Sequence, residues 1–180
     1  MMITHFSPAK TLFAATLCLF SCLTALPASA VEVNVDGLPV PRFVSVKQGV
    51  LVRVGPGKKY DLAWTFNKSM PVEVTAEFDI WRKIRDAEGA EGWVQQNQLS
   101  GARLGVVPPN KNVDATYPLL AGASDDAAVR AYLTPGIRVG LKKCDGSWCQ
   151  VDTLSENGAS TYSGYVRQNE LWGAFPSETF

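Results

Sequence analysis

An internal repeat is the feature of this 180-residue chain that most restricts its fold. Residues 67 positions apart match in character, and after a five-residue insertion the spacing becomes 72, where residues 92–101 lie over 164–173 with six identities in ten. Since each copy has an apolar pattern of its own, the repeat predicts two similar small folding units. The 67-spaced pairs are Val52/Leu119, Gly55/Gly122, Leu62/Val129, Phe66/Leu133, Val72/Val139, Val74/Leu141, Trp81/Trp148 and Ile84/Val151.

The repeat also divides the chain. The copies extend over residues 42–101 and 115–173, and residues 102–114, with two prolines and two asparagines, are expected to form a partly extended linker. The insertion in the second copy, at 155–160, has the composition of a surface loop. Because each copy has its own aromatic pair and alternating segments, we expect the two copies to close separate cores and to fold independently.

Both copies have a β pattern. Residues 72–78 alternate apolar with polar side chains, and no window has the period of a long amphipathic helix. Only residues 63–66 and 127–133 tolerate a helix. Trp81 and Trp148 are expected at core or partly buried strand positions. Because short strands in units of this size bury enough surface only by wrapping around, the sequence predicts an all-β fold of two tandem small β-barrels.

The opening of the first copy resembles a known family. Residues 52–57 read Val-Arg-Val-Gly-Pro-Gly and are followed by Tyr60 and by Gly-Trp-Val at 92–94. This is similar to bacterial SH3-like domains, whose usual opening reads Asn-Val-Arg-Ser-Gly-Pro. In the second copy the opening has changed, and the resemblance depends on Trp148 and on Gly-Tyr-Val at 164–166. The resemblance implies two tandem SH3-like β-barrels that serve as binding or targeting modules of the bacterial cell envelope.

Residues 1–30 predict an export signal. Residues 1–10 contain one lysine and no acid, residues 11–26 are mostly apolar or small, and Ala-Ser-Ala at 28–30 is typical of a cleavage site. We expect cleavage after Ala30 and a periplasmic or secreted protein with no stable membrane span. A lipoprotein signal with Cys22 as the lipidated residue is the alternative, although Phe20 fits it poorly.

Cys144 and Cys149 are the two cysteines of the expected mature chain. They flank an Asp-Gly pair that is typical of a hairpin turn, and residues flanking such a turn face each other at disulfide distance. We expect a structural disulfide, which an oxidising compartment would maintain. A redox motif normally has two intervening residues and a zinc site needs about four ligands, so these alternatives are less favoured.

Composition argues against several function classes. The 17 basic and 17 acidic residues leave no excess charge for nucleic acid, so none is expected as a partner. The single histidine, His5, lies in the signal, so the mature chain has no Ser-His or Cys-His pair. Glu73 and Glu77 are expected on a strand surface and not in a glycosidase cleft. We predict a non-enzymatic protein without cofactor or metal, and we interpret Asp125 and Asp126 as a solvated turn.

Four residues of the first copy are candidates for ligand contact: Arg53, Tyr60, Trp64 and Trp93. We place Tyr60 and Trp64 in a loop between strands, with the other two beside them, because rigid rings supply contact area at low entropic cost. The second copy has alanine at the positions of both loop rings. The alternative interpretation is structural: Trp64 plugs one barrel end, Trp93 belongs to the barrel, and Arg53 pairs with an acid or packs on a ring.

The sequence as a whole favours an exported binding module that recognises cell-wall peptide or glycan, or a segment of an envelope protein. A structural or assembly subunit of the periplasm, acting through docking of the barrels, is the alternative. Residues 42–101 contain 9 basic and 7 acidic side chains, whereas residues 115–180 contain 5 and 7. This opposite bias allows the two copies to prefer different partners.

Overall fold

The computed structural model of the protein describes residues 40, 42–108, 114–154 and 161–180. These residues form β-strands, turns and two single-turn 3-10 helices, which confirms the predicted all-β class. The expected signal and its cleavage site lie outside the described residues, as do the middle of the expected linker and the loop at 155–160. Over the described ranges, no helix has the length and hydropathy needed to cross a bilayer.

The first copy forms a seven-stranded antiparallel sheet. Its strands are β1 (Arg42–Val46), β2 (Val50–Arg53), β3 (Leu62–Phe66), β4 (Met70–Phe78), β5 (Trp81–Arg85), β6 (Glu91–Gln95) and β7 (Leu99–Ser100). The 3-10 helix η1 (Gln96–Gln98) joins the last two. Across the sheet the order is β3-β2-β6-β5-β4-β1-β7, so the first strand lies between β4 and β7.

The second copy repeats this topology. Its strands are β8 (Leu104–Val106), β9 (Tyr117–Leu120), β10 (Val129–Leu133), β11 (Arg138–Cys144), β12 (Trp148–Leu154) and β13 (Thr161–Arg167), followed by the 3-10 helix η2 (Gln168–Glu170). The order β10-β9-β13-β12-β11-β8 matches the first sheet strand for strand. An isolated bridge between Val106 and Trp172 takes the place of the β1–β7 pair. The sequence repeat is therefore a repeat of fold.

The structure differs from the expected linker at its beginning. Leu104–Val106 forms β8 and pairs with β11, where Val106 lies opposite Arg138. It takes the position in the second sheet that β1 takes in the first. Comparing the two copies at a constant residue spacing does not reveal this strand, because the connection that follows it differs in length. Three residues separate β1 from β2, whereas ten separate β8 from β9.

The two helix-tolerant stretches form strands. Residues 63–66 belong to β3, which pairs with β2, and residues 129–133 form β10, which pairs with β9. Both stretches are short, so the hydrogen bonds and packing offered by a neighbouring strand outweigh a weak intrinsic helix preference.

Each copy has its own apolar core, built from equivalent positions. The apolar pairs of the sequence repeat, from Val52/Leu119 to Ile84/Val151, are buried in both copies. The exception among them is Leu62/Val129, whose two members are both exposed. The first core includes Val46, Val50, Val52, Phe66, Val72, Val74, Ile84 and Val94. The second includes Val107, Leu119, Leu133, Val139, Leu141, Val151, Val166 and Leu171. Matching burial shows that the repeated apolar positions are core positions.

Gly92 and Gly164 are required by close strand packing. A Cβ atom added to Gly164 would lie 2.5 Å from the carbonyl oxygen of Leu120, and one added to Gly92 would lie 2.4 Å from the Val52 side chain. Neither position has room for a side chain. The tight approach of β6 to β2, and of β13 to β9, explains why both copies have glycine before their Trp-Val or Tyr-Val pair.

The two copies also contact each other. The ring of Phe43 on β1 packs edge-on against Trp172, with centroids 4.9 Å apart, and against Phe175 at 4.6 Å. The guanidinium of Arg138 on β11 donates a hydrogen bond of 2.6 Å to the carbonyl oxygen of Ser69. These contacts link the first strand of one copy to the C-terminal segment of the other. They favour coupled unfolding over the independent folding expected from the sequence.

The C-terminal residues fold back over the second sheet. Phe180 exchanges two backbone hydrogen bonds with Cys144, and the Glu178 carboxylate pairs with Arg103 at 2.8 Å. Burial acts to raise the pKa of Glu178, but the hydrogen bonds from Arg103 and from the N–H of Phe175 outweigh it, so this pKa lies below its ordinary value. The ionised carboxylate therefore helps to hold this segment in place.

Cys144 and Cys149 face each other across the β11–β12 hairpin. Their Cα atoms are 4.2 Å apart and their sulfur atoms are at disulfide distance. The turn between them is closed by Asp145, whose carboxylate accepts hydrogen bonds from the N–H groups of Trp148 and Ser147 at 2.8 and 2.9 Å. These two bonds lower the pKa of Asp145. The hairpin thus combines turn hydrogen bonds with a covalent closure.

We expect Gly164→Ala to lower the free energy of unfolding by about 1–3 kcal/mol, because the new methyl group would overlap a backbone oxygen that cannot move away. Gly101→Ala is the control, since no atom lies within 4 Å of its added Cβ. Urea denaturation of both variants measures the difference. Equal losses in the two variants would contradict the packing argument.

We expect replacement of both Cys144 and Cys149 by alanine to cost about 2 kcal/mol of stability, the chain-entropy value for so short a loop. The natural mature chain, labelled with a thiol reagent under denaturing and non-reducing conditions, should show no reactive thiol. Two reactive thiols per chain would show that the bridge is absent.

We expect Glu178→Gln to destabilise the protein at neutral pH but not in acid. Because folding lowers this pKa from 4.5, the carboxylate stabilises the fold above that pH, and its contribution is lost as the pH falls through the folded-state pKa. Thermal unfolding at about pH 7 and about pH 3 measures the effect, and the gap between variant and natural protein should shrink in acid. The exposed Glu88→Gln is the control and should show no such change. A gap that stays constant would refute the role of the ionised group.

Candidate ligand-binding surface

The outer face of the first sheet brings most of the candidate residues together. Along β2, β5 and β6, alternate side chains enter the core, so the residues between them lie on the opposite face. We call this surface the outer face; it has Leu51 and Arg53 on β2, Trp81 and Lys83 on β5, and Trp93 and Gln95 on β6. The loop of residues 54–61 joins β2 to β3 at its edge.

Arg53 connects this loop to the sheet. Its Nη1 donates a hydrogen bond of 2.7 Å to the carbonyl oxygen of Tyr60, and its backbone lies opposite Trp93 of β6. No carboxylate forms an ion pair with Arg53 in the part of the chain that the structure describes. The guanidinium therefore positions the loop and keeps its charge uncompensated.

Tyr60 lies against the Gly-Pro-Gly turn. A Cβ added to Gly55 would lie 2.5 Å from the tyrosine ring, and one added to Gly57 would lie 3.3 Å from it. The ammonium group of Lys59 is 5.4 Å from the ring centroid, and the residue is still 37% exposed. The two glycines thus leave the space in which the ring lies, with part of its surface open to solvent.

Trp64 differs from the other three candidates. It lies in β3, opposite Val52, and not in the expected loop. Its half-buried ring packs against the first core, with its centroid 6.0 Å from that of Phe66. The structure therefore brings together Arg53, Tyr60 and Trp93, and it places Trp64 on the inner side of the sheet.

Trp93 is half-buried on β6, opposite Lys83 of β5. The ammonium group of Lys83 pairs with Glu91 at 2.5 Å, and this hydrogen-bonded ion pair lowers the pKa of Glu91. The charge of Lys83 is thus neutralised within the sheet. Among the described residues, no ion-pair partner is present for Arg53 or for the loop lysines Lys58 and Lys59.

Sequence reasoning missed a groove beside Trp81. It has a volume of about 170 Å³ and is lined by Leu51, Arg53, Lys58, Trp81, Gln95 and Gln98. Trp81 is only 7% exposed, as expected, but it is not part of the first core cluster. Its ring is buried from the outer side of the sheet. The alternation of a strand does not show whether a buried tryptophan points outward or inward. The sequence does contain one indication that Trp81 points outward: its neighbours Lys58 and Gln95 are replaced by Asp125 and Arg167 in the second copy.

The second copy has a different surface at the equivalent place. Its Ala127 lies 3.7 Å from a Cβ added to Gly122, which is the same contact as Tyr60 with Gly55 but without a ring. The loop charge is reversed, since the equivalents of Lys58 and Lys59 are Asp125 and Asp126. Both aspartates are exposed. Within the described ranges, no group of three or more His, Cys, Asp or Glu side chains could hold a metal ion.

Comparison with known families agrees with this architecture. The family model described as the bacterial SH3 domain matches residues 46–101 and again residues 113–173. The chain belongs to the bacterial SH3 domain family. Bacterial SH3 domains are binding modules for cell-wall material or proteins. The two copies are called the first and second SH3 domains from here on.

Two solved structures are similar to the chain. NlpC2 from Trichomonas vaginalis is 11% identical, with 73% of this chain and 48% of that chain covered and a TM-score of 0.30. NlpC1 from Trichomonas vaginalis is 10% identical, with 81% and 50% covered and a TM-score of 0.30. The chain spans about half the length of these two proteins. A comparison with curated proteins gave no significant match.

Proposed function

We propose that the chain is an exported, non-enzymatic binding protein of the bacterial cell envelope, whose first SH3 domain contacts cell-wall peptide or glycan. The observation that carries this proposal is the asymmetry between the two domains. On one scaffold, the first domain groups Arg53, Tyr60 and Trp93 with two free lysines. The second domain has alanine in place of the tyrosine and two aspartates in place of the lysines.

The chemistry of this surface suits wall polymers. Exposed rings offer flat apolar area to sugar rings and to the aliphatic parts of peptides, at a low cost in side-chain entropy. Uncompensated cations attract carboxylates, which both wall peptides and acidic sugars carry. Because the Tyr60 ring packs against the Gly-Pro-Gly turn and Arg53 holds the loop to the sheet, little ordering is needed on binding.

Two features support export. Residues 1–30 have the composition of a signal peptide, and the mature chain that would remain after Ala30 has only Cys144 and Cys149, which are at disulfide distance. A bridge of this kind persists in an oxidising compartment.

The carboxylates that could serve an enzyme have structural partners. Glu73 was expected on the surface but is only 4% exposed, and it pairs with Arg85 at 2.5 Å. Glu77 pairs with Arg42 and with the buried Arg82, both at 2.9 Å. Both carboxylates are thus engaged in structural ion pairs within the sheet. This supports a binding role over glycoside hydrolysis.

A role in assembly is the second candidate, and one surface favours it. Phe78 and Ile80, at the turn between β4 and β5, are 60% and 45% exposed, and such side chains are found where another protein docks. Gel filtration of the purified mature chain, set beside sedimentation with isolated cell-wall sacculi, separates the two candidates. Self-association without sacculus binding would favour assembly.

We expect Tyr60→Ala to weaken sedimentation with sacculi by about tenfold, the effect of removing an aromatic contact at the centre of a binding surface. Its unfolding midpoint should not change. Tyr132→Ala in the second domain is the control, because this tyrosine is 64% exposed and lies away from the surface proposed for binding. It should bind as the natural protein does.

Trp64→Ala should behave differently, with a loss of about 3 kcal/mol in the free energy of unfolding because its ring packs on the core. Full retention on sacculi by a folded Tyr60→Ala variant would refute the proposed surface. A natural protein that does not sediment with sacculi at all would refute the proposed function.

A further inference from the structure

In the second domain, a side-chain pair occupies the positions equivalent to the groove beside Trp81. There, the guanidinium carbon of Arg167 lies 4.2 Å from the ring centroid of Trp148, the equivalent of Trp81. The same guanidinium is held by Asp125, which accepts a hydrogen bond of 3.1 Å from its Nε and a second one from its Nη2. A cation–π contact and a bidentate ion pair thus cover the part of the Trp148 ring next to Arg167. Another part of the ring lines a separate cavity of about 290 Å³, together with Lys143, Gln150 and Tyr165.

The first domain has replaced both members of this pair. Trp81 lies opposite Gln95 in the sheet, as Trp148 lies opposite Arg167, so Gln95 stands where the guanidinium would be. Lys58 stands where the loop has Asp125. Glutamine is shorter than arginine and cannot form an ion pair with a lysine, and a groove of about 170 Å³ lies above Trp81.

The charges around this groove point to its ligand. Its lining includes the cations Arg53 and Lys58 and the amides of Gln95 and Gln98, and it includes no carboxylate. Neither cation has an ion-pair partner among the described residues. Two cations and two amide donors beside an indole ring form a site for a carboxylate that is attached to an apolar group.

The second domain would repel such a ligand. The equivalent of Gln98 is Glu170, one of whose carboxylate oxygens is buried without a hydrogen-bond partner. Burial raises the pKa of Glu170, with a further contribution from Asp125 that Arg167 opposes. At the positions equivalent to the lining of the first groove, the second domain thus has two acidic groups and one arginine that is already paired.

We propose that the groove beside Trp81 is a subsite for a free carboxylate of cell-wall peptide, and that the Asp125–Arg167 pair is a plug that closes the equivalent site of the second domain. The volume is below the roughly 300–1,000 Å³ of whole ligand sites, which fits a subsite for one terminal group. The ammonium of Lys58 and the guanidinium of Arg53 pair with the carboxylate. The Trp81 ring packs on the adjoining apolar part of the peptide. This inference rests on the proposed binding of wall material by the first domain.

The first test follows the indole N–H resonance of Trp81 by NMR while soluble wall peptides, released from sacculi by an amidase, are added to the mature protein. The resonance should shift and saturate with the natural peptides. It should not shift with the same peptides after their carboxyl groups have been amidated. Equal shifts with both preparations would overturn the carboxylate assignment.

The second test introduces the plug residues of the second domain into the first domain. Lys58→Asp with Gln95→Arg should close the first groove and weaken peptide binding at least tenfold, while the unfolding midpoint stays unchanged. Lys68→Gln, an exposed substitution with the same net change in charge, is the control and should bind normally.

Two results would overturn the inference while the proposed function stands. One is a plugged first domain that binds the peptides as well as the natural protein. The other is a protein that sediments with sacculi but shows no Trp81 shift with the peptides, which would assign binding to glycan or to another surface. Loss of sacculus binding by the natural protein is a different outcome, since it would refute the proposed function and the subsite together.

Discussion

The close approach of two strands at Gly92 is the contact on which the rest of the first domain depends. Without a side chain there, β6 lies close enough to β2 for Val52 to enter the core and for the Trp64 ring to pack beside it. The same approach places Arg53 opposite Trp93 on the outer face. Gly164 has this role in the second domain, against Leu119 and Leu120. One constraint on packing thus sets both the core and the surface that faces solvent.

The two domains show how one scaffold supports different surfaces. Core positions are apolar in both, because any polar replacement there would lose burial energy. Outer positions are free of that restriction, and it is there that the domains differ, with Lys58 and Gln95 in one and Asp125 and Arg167 in the other. In the second domain an arginine side chain of the same chain lies on part of the outer tryptophan ring. In the first it is left at the floor of a groove, where function can reside.

The two domains are in direct contact with each other. The second sheet takes its first strand from residues that the sequence places in a linker, and the C-terminal segment that packs on this sheet also contacts Phe43 of the first domain. Contacts of this kind restrict the relative motion of the two domains.

The sequence by itself determined the repeat, the all-β class, the family and most of the core, because an apolar residue recurring at equivalent positions in two copies has the same reason to be buried in each. The pairing of Cys144 with Cys149 was also predictable, since a hairpin turn is a local structure. Only the tertiary structure decided which side of the sheet buries Trp81, that Leu104–Val106 forms a strand, and that Trp64 lies in a strand against the core. The pair between Arg167 and Asp125 belongs to this second group, because the two residues are 42 positions apart and meet only after the barrel has closed. Patterns along a chain report burial and local turns, whereas a groove and the side chain that fills it are made by residues that the fold brings together.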